Sequence, residues 1–238
     1  MASQSDKASR FRALHLGPGA FLIANAWDAG SARILAGLGF PALATSSGAS
    51  AGVLGKRDGQ VTRDEALAHA RAIVEATDLP VSADLEKCFA DAPAAAAETI
   101  RLAGGVGLVG GSIEDATGDR DRPLYDMGHA VERVAAAVQA ARALPFAFTL
   151  TARTENFLRG HPDLDDTIKR LRAFEQAGAD VLMAPGLPDL AAVRAVCAAL
   201  GTPFNFMVAS RASRSAWPSF RRRACAGSAS PPRSIARR

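Results

Sequence analysis

Short apolar runs alternate with helix-periodic stretches along this chain, at a spacing of roughly 25–35 residues. That beat constrains the fold more than any other feature. The apolar runs are Phe21–Asn25, Pro41–Thr45, Leu79–Ala83, Val106–Ile113, Pro145–Thr151, Asp180–Met183 and Pro203–Met207. Helical spacing fills Gly30–Leu38, Ala92–Leu102, Met127–Leu144, Leu164–Ala177 and Leu187–Leu200. A further helix opens at Thr62, with Glu65 three residues on as a capping box, and runs to about Ala76. Strands separated by helices make a parallel α/β fold. Seven units by Met207 fit a (β/α)8 TIM-type barrel better than a doubly wound sheet, with the eighth unit incomplete or disordered. Aromatic residues are only 6% of the chain, so the core is expected to be aliphatic.

Residues 1–207 form the expected barrel domain. From Val208 onward there are eight arginines, no acid and no apolar period. This Arg/Ser/Ala/Pro-rich segment reads as a disordered tail, whose composition matches a shifted reading frame of a GC-rich gene. It also carries all of the net positive charge. The chain is +4, but residues 1–207 hold 20 basic against 24 acidic residues, a net of −4. A nucleic-acid partner is therefore not expected. The polar start lacks a signal-peptide core, and the longest uncharged run, Ile34–Gly55, is broken by glycines and a proline. No membrane association and a cytoplasmic location are expected. Three scattered cysteines give neither a disulfide framework nor a zinc cage.

Barrel active sites lie at the C-terminal ends of the strands. Those ends carry Trp27 and Asp28, then Thr45-Ser46-Ser47-Gly48, Asp84 and Glu86, Glu114 and Asp115, Arg153 and Glu155, and Asn205. Oxygen donors without histidine suit a hard divalent cation, Mg²⁺ above all, with Mn²⁺ as an alternative. An arginine beside them suits a substrate carboxylate held bidentately. Gly105–Gly110 spells G-x-G-x-x-G but enters a strand instead of opening a helix, so no dinucleotide site is assigned. The four histidines are read as surface or capping residues.

The ordered set Asn25-Ala26-Trp27-Asp28, Thr45-Ser46-Ser47-Gly48, Val81–Glu86, Ser112-Ile113-Glu114-Asp115, Thr151–Glu155 and Phe204–Met207 resembles the isocitrate lyase/phosphoenolpyruvate mutase superfamily. The closest likeness is to phosphonomutase-like members. The resemblance implies a Mg²⁺-dependent lyase that cleaves or forms a C–C bond beside a 2-oxo acid, through a pyruvate-like enolate. It implies Asp84, Glu86 and Glu114 as metal residues. Asp58, Arg153, Ser46 and Ser47 would be catalytic. Trp27, Ser46, Ser47, Gly48, Arg153 and Asn205 would bind a small carboxylate substrate. C–P chemistry on a phosphonopyruvate-like substrate, or an inactivated scaffold, are the alternatives. The family's loop acid has no counterpart in Ala116–Tyr125, which holds neither Cys nor His, so isocitrate lyase itself is excluded. Family members assemble as homo-oligomers through a C-terminal helix that is not recognisable in this sequence.

Overall fold

Seven parallel strands pair in strict chain order, β1-β2-β3-β4-β5-β6-β7, in a computed structural model that describes residues 2–208. They are β1 (Ile23–Asn25), β2 (Ala42–Ala44), β3 (Val81–Ala83), β4 (Gly110–Glu114), β5 (Thr149–Arg153), β6 (Val181–Met183) and β7 (Phe204–Asn205). Eight helices accompany them among the described residues. These are α1 (Gln4–Leu16), α2 (Ala29–Gly37), α3 (Ser47–Val53), α4 (Arg63–Glu75), α5 (Pro93–Gly105), α6 (Met127–Arg142), α7 (Leu164–Gln176) and α8 (Leu190–Ala199). Sequential parallel pairing with a helix in each crossover is the topology of a TIM-type barrel. The tail expected after Met207 lies outside the described residues, except for Val208.

Helix boundaries follow local chemistry. Thr62 and Glu65 form the expected capping box at α4. Asp126, Asp163 and Asp189 cap α6, α7 and α8 by accepting a backbone N–H of the first turn. Every strand is shorter than the apolar run that announced it, and β4 and β5 also start later than expected. α5 continues to Gly105, and Gly107, at φ +94°, turns the chain so that β4 begins only at Gly110. The G-x-G-x-x-G run is thus a helix-to-strand connection. β5 begins at Thr149, after Pro145–Phe148.

Two helices were not expected. The polar start of the chain runs into α1, Gln4–Leu16. The Ser/Gly turn after β2 continues into α3, capped by Ser46. α1 closes one end of the barrel. Gln4 donates to the carbonyls of Gly104 and Leu108, and Lys7 Nζ to that of Thr77 at 2.9 Å. Phe11 packs there with Ala8, Ala42 and Val109.

The main core is aliphatic, as the composition requires. α5 and α6 pack closely through Ala96, Ala103, Ala130, Ala137 and Ala141, small residues that let the two backbones approach. Phe148, Leu150, Ile113 and Leu182 fill the sheet side of the same cluster. No described helix is long and apolar enough to cross a membrane.

Candidate active site

β3, β4 and β5 are adjacent, so their C-terminal ends bring Asp84, Glu114 and Arg153 side by side. Register pairs Glu114 directly with Arg153. The Arg153 guanidinium spans three carboxylates. Nη1 lies 3.3 Å from Asp84 Oδ1, Nε lies 2.9 Å from Glu155 Oε1, and Nη2 pairs with Glu114. Arg159 joins from the β5–α7 loop, 3.4 Å from Glu114 and 3.2 Å from Glu155.

Asp84 is the best-supported carboxylate. It accepts the Ser47 N–H at 3.1 Å, the Glu86 N–H at 3.2 Å and the Ser112 hydroxyl at 3.4 Å. Burial alone would raise its pKa. Arg153 and the Ser47 and Glu86 amides outweigh that and hold it below the usual carboxylate range. Glu86 goes the other way. Burial first, then the negative charges of Asp84 and Asp58, push it up to about 7. Glu155 is also raised by burial, although Arg153 and Arg159 oppose the shift.

Asp84 and Glu86 line a cavity with Thr45, Ser46, Ser47, Ser50, Val61, Ala66 and His69. Gly48 forms its turn beside Asp58: a Cβ placed there would stand 3.7 Å from the Asp58 carboxylate. The structure therefore gathers Ser46, Ser47, Gly48, Asp58, Asp84, Glu86, Glu114 and Arg153 at one rim. Asn205 ends β7, Trp27 follows the end of β1 in the connection to α2, and neither lines the cavity. Trp27 is 57% exposed, its carbonyl accepting from His69 Nε2 at 2.6 Å.

Asp115 does not join the rim. It is 2% exposed and turned inward, where it accepts the Glu155 N–H, the Thr154 hydroxyl and Arg170. Consecutive residues at a strand end face opposite ways, so Glu114 and Asp115 cannot both look into the site. Burial raises the pKa of Asp115, partly offset by those three donors. His69, half-buried, also lines the cavity.

Among the described residues, no three His, Cys, Asp or Glu side chains converge as a metal cage. Asp84 and Glu86 remain at the cavity, while Glu114 is engaged by Arg153 and Arg159. This donor set fits Mg²⁺, which keeps several waters and needs only one or two carboxylates. The negative charges of Asp84 and Asp58, which add to burial in raising Glu86, are a charge imbalance that a divalent cation would relieve.

Residues 11–227 match the phosphoenolpyruvate phosphomutase family over most of the chain. The chain belongs to that family. The family match continues past Met207. A solved Burkholderia cenocepacia J2315 protein, provisionally assigned as a lyase/mutase, shares 59% identity with this phosphomutase-family chain at TM-score 0.84. That likeness covers 85% of this chain and 73% of the other. Oxaloacetate decarboxylase of Bradyrhizobium diazoefficiens is 31% identical over 206 residues, 83% of this chain and 69% of the relative. A crystal structure of 2,3-dimethylmalate lyase, a member of the PEP mutase/isocitrate lyase superfamily, is 30% identical at TM-score 0.79. It covers 89% of this chain and 74% of its own.

Proposed function

We propose that this chain is a Mg²⁺-dependent lyase that cleaves or forms a C–C bond next to a 2-oxo acid, through a pyruvate-like enolate. The observation that carries this reading is the Arg153 guanidinium set among Asp84, Glu114 and Glu155, beside the Ser46-Ser47-Gly48 turn. The two named relatives that act on carboxylates, an oxaloacetate decarboxylase and a dimethylmalate lyase, favour C–C over C–P chemistry.

Each residue has a role in this reading. Asp84, held ionised, and Glu86 would hold the cation at the cavity. Glu114 steadies Arg153. Arg153 clamps the substrate carboxylate, a task for which a planar fork suits better than a point charge. The Ser46 and Ser47 side of the turn presents polar groups to the developing oxyanion. Asp58, beside Gly48, would move a proton at the reacting carbon or hold a cation-bound water. Trp27 and Asn205, which do not line the cavity, would touch only the outer part of the substrate. Bound Mg²⁺ would supply the positive charge that offsets the enolate.

The test is thermal melting with Mg²⁺, with and without oxalate, a planar mimic of the enolate. The chain should melt higher with both present, by linkage. Asp84→Ala should abolish that rise, and EDTA should abolish turnover of oxaloacetate-like or acylpyruvate-like substrates. Turnover that survives EDTA, or an oxalate effect unchanged in Asp84→Ala, would overturn the proposal. Turnover of phosphonopyruvate alone would move it to C–P chemistry.

A further inference from the structure

Arg133 lies in the middle of α6, is 1% exposed, and takes no part in the rim just described. A buried guanidinium is costly unless its donors are satisfied. Every described hydrogen bond of Arg133 ends on a main-chain carbonyl. Nη1 donates to Glu114 O at 3.0 Å, Nε to Asp91 O at 3.1 Å, and Nη2 to Ala90 O at 2.8 Å and to Lys87 O. Its carbon lies 4.4 Å over the Tyr125 ring, which closes the site on the remaining face.

Those carbonyls belong to two segments at the site carboxylates. One is Lys87–Asp91, which follows Glu86; the other is the end of β4 at Glu114. The first loop holds a backbone that does not hold itself. Glu86, Cys88 and Phe89 all sit at positive φ (50°, 57° and 56°), a region that non-glycine residues seldom adopt. Such conformations persist only where the surroundings over-determine them. Three of the four Arg133 contacts are on this loop. Thr99 adds a hydroxyl bond to Cys88 O at 2.8 Å, and the Glu114 N–H donates to Glu86 O at 3.1 Å.

We propose that Arg133 is a positioning residue of the reaction: by gripping the carbonyls of the loop after Glu86 and of the end of β4, it fixes Glu86 and Glu114 relative to one another and keeps the strained loop in the conformation the site needs. This rests on the function proposed above. Five donors in a rigid fork make the arrangement specific to arginine. Lysine has three donors on a flexible stem and cannot reach four carbonyls at once.

The experiment compares the wild-type chain with Arg133→Met and Arg133→Lys. Amide hydrogen exchange is followed in residues 86–91, and Mg²⁺-dependent oxalate affinity is measured on the folded protein. In Arg133→Met, exchange in 86–91 should rise, with α8 unchanged, and oxalate affinity should fall about tenfold or more, as for loss of a supporting shell. A merely structural arginine would lower the melting temperature and leave the oxalate affinity of the folded protein alone. Cooperative melting with exchange and affinity within about twofold of wild type would overturn the proposal. If Arg133→Met does not melt cooperatively, Arg133→Lys decides by the same two readouts. The two ideas fail separately. A wild type indifferent to oxalate overturns the proposed function, whereas exchange in 86–91 that Arg133→Met and Arg133→Lys both leave unchanged overturns the clamp.

Discussion

Gly110 opens β4 where there is no room for a side chain. A Cβ there would stand 2.9 Å from the Thr149 carbonyl oxygen, 2.9 Å from Phe11 and 3.0 Å from the Ser82 hydroxyl. The Thr149 oxygen is backbone in a paired strand and cannot step aside. Gly110→Ala should therefore cost about 1–3 kcal/mol, as overpacking does. Gly111 is also tight, 2.8 Å from Leu85 Cδ1 and 3.3 Å from Phe148, but those are side-chain ends that can turn. Urea unfolding should rank Gly110→Ala below Gly111→Ala, and the reverse order would contradict the argument. The same scale shows how much of the site the sequence displays. Asp84, Glu114 and Arg153 stand at strand ends, so barrel topology alone brings them together. Arg159 sits four residues after Glu155, a spacing visible in the sequence, but its two ion pairs depend on the turn that Arg159 N–H makes to Glu155 O. His69 and Arg133 lie within helical patterns. Only the packing of α4 against the β1–α2 connection and of α6 against the loop after β3 gives them partners, and nothing local announces it.

Among elements, α1 shows what hydrophobic pattern misses. Its buried residues are few: Lys7, Ala8 and Phe11. No apolar stripe marks it, yet Ser3 and Asp6 form a full capping box that the sequence does display. Its C-terminal turn is tied down by His15, stacked edge-on between Phe11 and Phe21 at centroid distances of 4.6 and 4.9 Å. Burial lowers the His15 pKa, although the Phe11 carbonyl and Asp180 pull it upward. The sign follows from linkage. The unfolded chain binds a proton near pH 6.5, and the folded chain resists it to lower pH. Stability is thus complete above about pH 6.5 and declines as pH falls from there through the lowered folded value. Melting at pH 8 and pH 5.5 should show a smaller acid loss in His15→Leu than in wild type. Equal losses would mean that His15 does not carry this dependence. α3 was missed for a different reason: Ser46–Val53 is small and polar, and only the Ser46 cap and the end of β2 commit it to a helix.

At the scale of the whole molecule, the alternation of strands and helices made the parallel sheet and its order legible, because short crossovers leave a parallel sheet few other arrangements. The site draws on β2 through β5, and α1 closes the opposite end of the same strands. Between them lies one continuous aliphatic cluster that runs from Ala26 to Val196. A ligand at the rim should therefore stabilise the floor as well. At a hundredfold excess over its dissociation constant, a ligand bound only by the native state adds about 2.7 kcal/mol. If the barrel unfolds as one unit, Mg²⁺ and oxalate should slow global-unfolding exchange by the same factor in α1 amides as in β4 and β5. Tryptophan fluorescence and far-ultraviolet dichroism should shift together in melting. Protection confined to the rim would mean that α1 opens separately, a local unfolding unit held by contacts such as those of Gln4, Lys7, Phe11 and His15.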